Sequence, residues 1–201
     1  MVQTPFRSPS LLRTPAADEG APTAPGGAAP SLAARLGAPA GAQGPGAIAI
    51  ARDGTWWHEG RPIGRRELVK LFATVLRREA DGGYALVTPA ERCPVRVEDA
   101  PFIAEEMEVR EADGQQVLAF RSNVDRWVEA GRDHPLRIEE APDSGEPRPY
   151  ILMQAGLEAR LARPVFYRLV DLADYGSYQG SEVLGVWSRG TFFPLDPTGT
   201  L

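Results

Sequence analysis

A chain of 201 residues with 22 lysines and arginines against 27 aspartates and glutamates carries a net charge of −5, which excludes the broad basic surface that a nucleic-acid polymer requires. One cysteine (Cys93) excludes an internal disulfide, and with only two histidines (His58, His134) the chain is too poor in soft ligands for a His/Cys zinc centre. No apolar run approaches the ~18 residues of a spanning helix, and "MVQTPFRSPSLLRTP" lacks the apolar segment of a secretory signal, so no membrane partner and a cytoplasmic location are expected.

In residues 1–46, 26 of the 46 positions are Ala, Pro or Gly. Such a segment has too little apolar surface to offset its ordering entropy and reads as a disordered tail. It carries Arg7, Arg13 and Arg35 against Asp18 and Glu19, a net of +1, so the body holds −6 of the total −5. "AIAIARDGTWWHE" (47–59) predicts a hairpin with Asp53-Gly54 as a two-residue type I′ turn. "RRELVKLFATVLRREA" (65–80) predicts a helix, with Leu68, Leu71, Phe72, Val75 and Leu76 on one face. "DGG" (81–83) is placed to end it. "YALVTP" (84–89) and "CPVRVE" (93–98) follow as short strands.

The next stretch reads entirely as strand. "EEMEVREADGQQVLAFRS" (105–122) is a hairpin about Asp113-Gly114, alternating through Met107, Val109, Val117 and Ala119. "HPLRIEE" (134–140) adds a strand and "APDSGEPRP" (141–149) a loop. Then the first pattern returns. "YILMQAG" (150–156) and "LEARL" (157–161) are strands. Pro164 opens a helix with Phe166, Leu169, Val170 and Ala173 on one face. "EVLGVWS" and "TFFPL" flank an Arg-Gly turn. In both copies a glycine precedes by eight residues the proline of an Arg-Pro pair, and Pro94 and Pro194 lie 100 apart. The sequence therefore predicts an α+β fold of two duplicated strand-strand-helix-strand-strand units with an inserted antiparallel hairpin region. Its expected divisions are the tail 1–46, an N-terminal domain 47–103 and a C-terminal domain 104–201. Tight turns between neighbours argue for antiparallel pairing.

Chemistry-bearing motifs are sparse. HExxH, CxxC, a GxSxG elbow and a P-loop are all missing from the sequence. No metal, cofactor or catalytic residue is expected, and the chain reads as a non-enzyme. Cys93 reads as a small hydrophobe and His58 as a residue at a sheet edge. The repeated turn is richer. Arg163 stands at a helix N-terminus, where free N–H groups favour an anion, and Arg160 is three residues earlier. Tyr167, Trp187 and Ser188 would lie close by if the unit is compact. Together they suit a small anionic, nucleotide-like ligand. The competing reading has these arginines solvated or paired with Glu158 and Asp171 and the aromatics in the core, and on the residues alone it is the stronger. In "VEDAPF" (97–102), Asp99 could accept hydrogen bonds from a ribose or amine, and Phe102 is either core or pocket wall. Asn123, after a strand, most often satisfies a turn and is carried as a weaker ligand contact.

"DGTWWHEGRPIGRRELVKLFATVLRRE", "VEDAPF", "GLEARLARPVFYRLVDLA" and "GVWSRGTFFPL" together resemble the bacterial domain-of-unknown-function family numbered 1285, over about residues 47–195. The resemblance implies a duplicated two-domain α+β fold whose second domain is superficially similar to pleckstrin-homology-like folds. It also implies a binding site between the domains for a nucleotide-like ligand and a role in signal transduction. The matching positions are Asp99, Pro101, Phe102, Arg160, Arg163, Phe166, Tyr167, Trp187, Ser188 and Phe192. The alternative function is a protein-interaction adaptor with a purely structural interface.

Overall fold

The computed structural model describes residues 47–195; the N-terminal tail read above lies outside them. Fifteen strands and two helices make up this body, a duplicated, mostly β organisation in two domains. The first unit runs β1 (Ile48–Ile50), β2 (Trp56–His58), β3 (Arg61–Pro62), α1 (Arg66–Val75), β4 (Leu76–Arg78), β5 (Tyr84–Val87) and β6 (Arg92–Val97). It closes into one six-stranded sheet ordered β3-β2-β1-β6-β5-β4. A long hairpin follows, β7 (Phe102–Ala112) and β8 (Gln115–Ser122), then β9 (Trp127–Glu129) and β10 (Leu136–Glu140). The second unit runs β11 (Pro147–Gln154), β12 (Leu157–Leu161), α2 (Arg163–Val170), β13 (Asp174–Tyr178), β14 (Ser181–Ser188) and β15 (Thr191–Pro194).

The element order repeats: a hairpin (extended in the first unit by the two-residue β3), a helix, then three strands, with Pro94 and Pro194 both in the last. The pairing does not repeat. In the first unit β1 lies parallel to β6. In the second, β12 lies parallel to β7, so the inserted hairpin takes the place of the unit's own last strand. The result is a second sheet, β10-β11-β12-β7-β8-β9, and a separate β13-β14-β15 sheet. Both sheets with a parallel pair are thus mixed, against the antiparallel expectation. β1 and β6 are separated by α1 and β7 and β12 by the strands β8 to β11, so in neither pair does a tight turn join the partners and force them antiparallel.

Several local expectations are corrected. The first helix stops at Val75, because Leu76 turns extended (ψ 135°) and enters β4. Asp81-Gly82-Gly83 is therefore a hairpin turn, closed by the Gly82 N–H on the Glu79 carbonyl at 3.0 Å. Leu71 is 60 % exposed, and the buried face is Ala73 and Leu76 with Phe72, whose ring meets Trp56 at 6.1 Å. On α2 the buried pair is Val165 and Leu169, while Val170 is exposed. Val109 is exposed, whereas Val117 to Phe120 are buried on both faces of β8, which lies between β7 and β9. Asp113 (φ 53°) and Gly114 (φ 69°) form the expected I′ pair. Of Asp53 and Gly54 only the glycine has positive φ (84°), and the Ala51 N–H bonds Thr55 O across a three-residue loop. One hydrophobic cluster runs from Ile48 and Trp56 through Phe102 and Phe120 to Phe193, so the two domains share a continuous core.

Candidate functional site

The acidic pair Glu98-Asp99 follows β6 in a bend, and its two side chains part. Glu98 turns back: its Oε2 accepts the Arg52 N–H at 2.9 Å, fixing the β1–β2 loop. Asp99 turns toward the second domain, with only 9 % of its side chain exposed. Tyr150 Oη donates to Asp99 Oδ1 at 2.7 Å. Burial, and then the Asp99 carboxylate, push the Tyr150 hydroxyl well above the usual range, so it remains a donor.

Tyr150 and Arg160 face each other across β11 and β12, as register partners on one face of the second sheet. That places the Arg160 Nε 3.4 Å from Asp99 Oδ2. The approach is ionic and not hydrogen-bonded: both atoms are buried without a hydrogen-bond partner among the described residues. Arg160 Nη2 instead donates to the Arg52 carbonyl at 3.0 Å, tying the second domain to the hairpin of the first. Beside it Arg137 stacks over the Tyr150 ring at 4.3 Å and takes both oxygens of Glu158, at 2.6 and 2.7 Å. Glu158 is thus Arg137's partner and leaves Arg160 and Arg163 to other duties.

Arg160 and Arg163 then line a common cleft of about 690 Å³. Two further arginines, Arg52 and Arg148, line the same cleft, with Asp143 and Glu146 of the 141–146 loop as its acids and Tyr167 on its wall. Arg163 precedes Pro164 at the start of α2, whose N-cap Ala162 supplies no side-chain cap. Its first N–H groups stay available to an acceptor. Arg52 and Arg148 were missed from sequence. A cross-strand neighbour and a residue at a turn carry no local signal, and 21 arginines hide any that do.

The eight residues singled out from sequence are not all brought together. Arg160, Arg163 and Tyr167 line the cleft, whereas Asp99 is not in its lining and lies buried against Arg160. Phe102 is 2 % exposed in the core, which settles its double reading for packing. Asn123 joins the domains instead: its Oδ1 accepts the Ile103 N–H at 3.2 Å and its Nδ2 reaches Gly54 O at 3.4 Å. Trp187 is 47 % exposed on the third sheet, against Phe192 at 5.2 Å. Ser188 is fully buried, accepting the Leu118 N–H at 2.9 Å and donating to Ala130 O at 2.7 Å. It clasps the third sheet to β8. Trp187 and Ser188 leave the site because β14 packs on β8 rather than returning beside β12. Ser188→Ala is expected to lower stability by about 2 kcal/mol, since two buried main-chain groups lose their partner; urea unfolding measures it.

A second polar seam lies at α1. Arg66 (2.7 Å), Lys70 (2.9 Å) and Arg121 (2.8 Å) surround the Asp125 carboxylate, and hydrogen bonding from Lys70 holds its pKa below the usual range. Among the described residues no three metal-ligating side chains converge, and no helix is long and apolar enough to cross a membrane.

Comparison with known proteins places these features in context. The profile of the DUF1285 N-terminal domain, a domain of unknown function, matches residues 40–100, and that of the DUF1285 C-terminal domain matches 101–195. Asp99 therefore falls in the first domain and Tyr150 and Arg160 in the second. A crystal structure of a DUF1285 family protein from Silicibacter pomeroyi DSS-3 is similar, with 45 % identity, 74 % of this chain and 78 % of that one covered, and a TM-score of 0.67. Another, from Shewanella baltica OS155, shares 26 % identity over 62 % of this chain and 90 % of that one, with a TM-score of 0.49. No curated protein matches the chain.

Proposed function

The chain belongs to the DUF1285 family, and from that premise we propose that it is a non-enzymatic receptor for a small anionic ligand of nucleotide-like character, held at the interface of its two domains. One observation carries the reading: Arg52, Arg148, Arg160 and Arg163 line a single open cleft whose lining holds two acidic side chains, Asp143 and Glu146. Guanidinium forks suit phosphate oxygens, the start of α2 adds free N–H groups, and the exposed Tyr167 ring offers a face to a flat base. The shared core argues against a large closing motion. The signal would instead be local. A ligand that draws Arg160 away from the Arg52 carbonyl frees the β1–β2 loop and alters the seam, which suits a role in signalling.

Thermal shift with a panel of nucleotides tests this. A ligand at about 100 times its Kd stabilises by about 2.7 kcal/mol, and Arg163→Gln should abolish that gain while leaving the ligand-free melting point in place. A panel in which no nucleotide raises the melting point defeats the reading. A second reading, the interaction adaptor, draws on the exposed Tyr175, Tyr178 and Trp187 of the third sheet. It gains ground if the protein ignores anions yet captures a partner through that face.

A further inference from the structure

A second cavity meets the first at a single residue. The cleft of about 690 Å³ includes Arg52 in its lining. So does a neighbouring cavity of about 780 Å³ in the first domain, formed with Tyr84, Val97, Glu98 and Arg96. Arg52 is well placed to serve both. Its main chain is fixed from two sides, by Glu98 on the N–H at 2.9 Å and by Arg160 on the carbonyl at 3.0 Å. Its guanidinium, like those of Arg96, Arg148 and Arg163, has no carboxylate within ion-pair distance among the described residues. Beneath this junction lie the buried Asp99 Oδ2 and Arg160 Nε, each without a hydrogen-bond partner among the described residues, a place where a further polar group completes the set.

We infer that the two cavities are lobes of one groove, and that the ligand is an elongated anion with phosphate-like charge in both lobes, of dinucleotide size rather than a mononucleotide. The inference rests on the receptor reading above and deepens it. Each lobe falls within the ~300–1,000 Å³ that accommodates one small organic ligand, so a mononucleotide fills one and leaves the other empty. Unpaired guanidinium groups in both lobes attract an anion in each. Arg96 answers to the second lobe, Arg148 and Arg163 to the first, and Arg52 to the linkage between them.

The probes are AMP and the dinucleotide pApA, titrated calorimetrically into the full chain. The native protein should bind pApA at least about tenfold more tightly than AMP, a difference of ~1.4 kcal/mol. Arg96→Gln, at an exposed position on β6, should weaken pApA about tenfold and so erase that preference. Arg163→Gln should weaken both. Equal binding of the two probes, or an Arg96→Gln protein that keeps its preference for pApA, overturns the two-lobe inference while the receptor reading stands. If neither probe binds, both fall.

Discussion

Gly54→Ala is expected to lower stability by about 3 kcal/mol, and the melting temperature by roughly 10 °C. Two independent effects add. Gly54 holds φ at +84°, where an L side chain is strained by ~1–2 kcal/mol. A Cβ there would also lie 2.7 Å from Ile103 Cγ1 and 2.8 Å from Asn123 Nδ2, side chains of the other domain. Overpacking of this kind adds ~1–3 kcal/mol. The side chain would act as a wedge between the β1–β2 loop and β7, so the Asn123–Gly54 link should be lost as well. Urea unfolding reports the total. A neutral Gly54→Ala would mean that the hairpin does not seat against the second domain. Gly114→Ala separates the two effects, because that glycine has similar backbone strain (φ +69°) and nothing within 4 Å of the place a Cβ would take; it should lose only the smaller, conformational part.

Arg160→Met carries the second large effect, about 2–3 kcal/mol. Removing one member of a buried pair strands the other, at a typical ~3–5 kcal/mol; the value here is discounted because 29 % of the Arg160 side chain is exposed and Tyr150 still donates to Asp99. The carbonyl of Arg52 loses its donor at the same time. Asp99→Asn in the same chain should recover part of the loss, since an amide needs no counter-charge. The double variant should therefore be more stable than the sum of the two single losses predicts. Strict additivity would show that Asp99 and Arg160 do not act as a pair. The same Arg160→Met protein should lose anion affinity, which a purely architectural arginine would not affect.

Much of the body was legible along the chain. Hairpins announced themselves through Asp-Gly pairs and alternating apolar residues, and the helices through their period and through Pro164. The places that misled share one cause. "TVLRRE" has helical composition, yet Leu76–Arg78 is a strand because β5 is there to receive it. "VEDAPF" promised a functional aspartate and a doubtful phenylalanine; Asp99 lies buried against Arg160, and Phe102 enters the core. At the repeated turn, proximity in sequence suggested that Trp187 and Ser188 would join Arg160 and Arg163. They could do so only if the second unit closed on itself as the first does.

What the sequence alone determined is local and compositional: the two helices and most of the hairpins, their repetition, the turn glycines, and the arginine beside the start of α2, but not the strand that directly follows each helix (β4 and β13). These follow from backbone preferences and hydrophobic period, which act over a few residues. The tertiary structure alone decided which strands pair, and hence that β12 lies beside β7. That single pairing brings Tyr150 and Arg160 onto Asp99 and gathers Arg52 and Arg148 from distant positions around one cleft. Pairing is set by the burial of whole sheet faces against one another, a sum over the entire core that no short stretch of sequence contains.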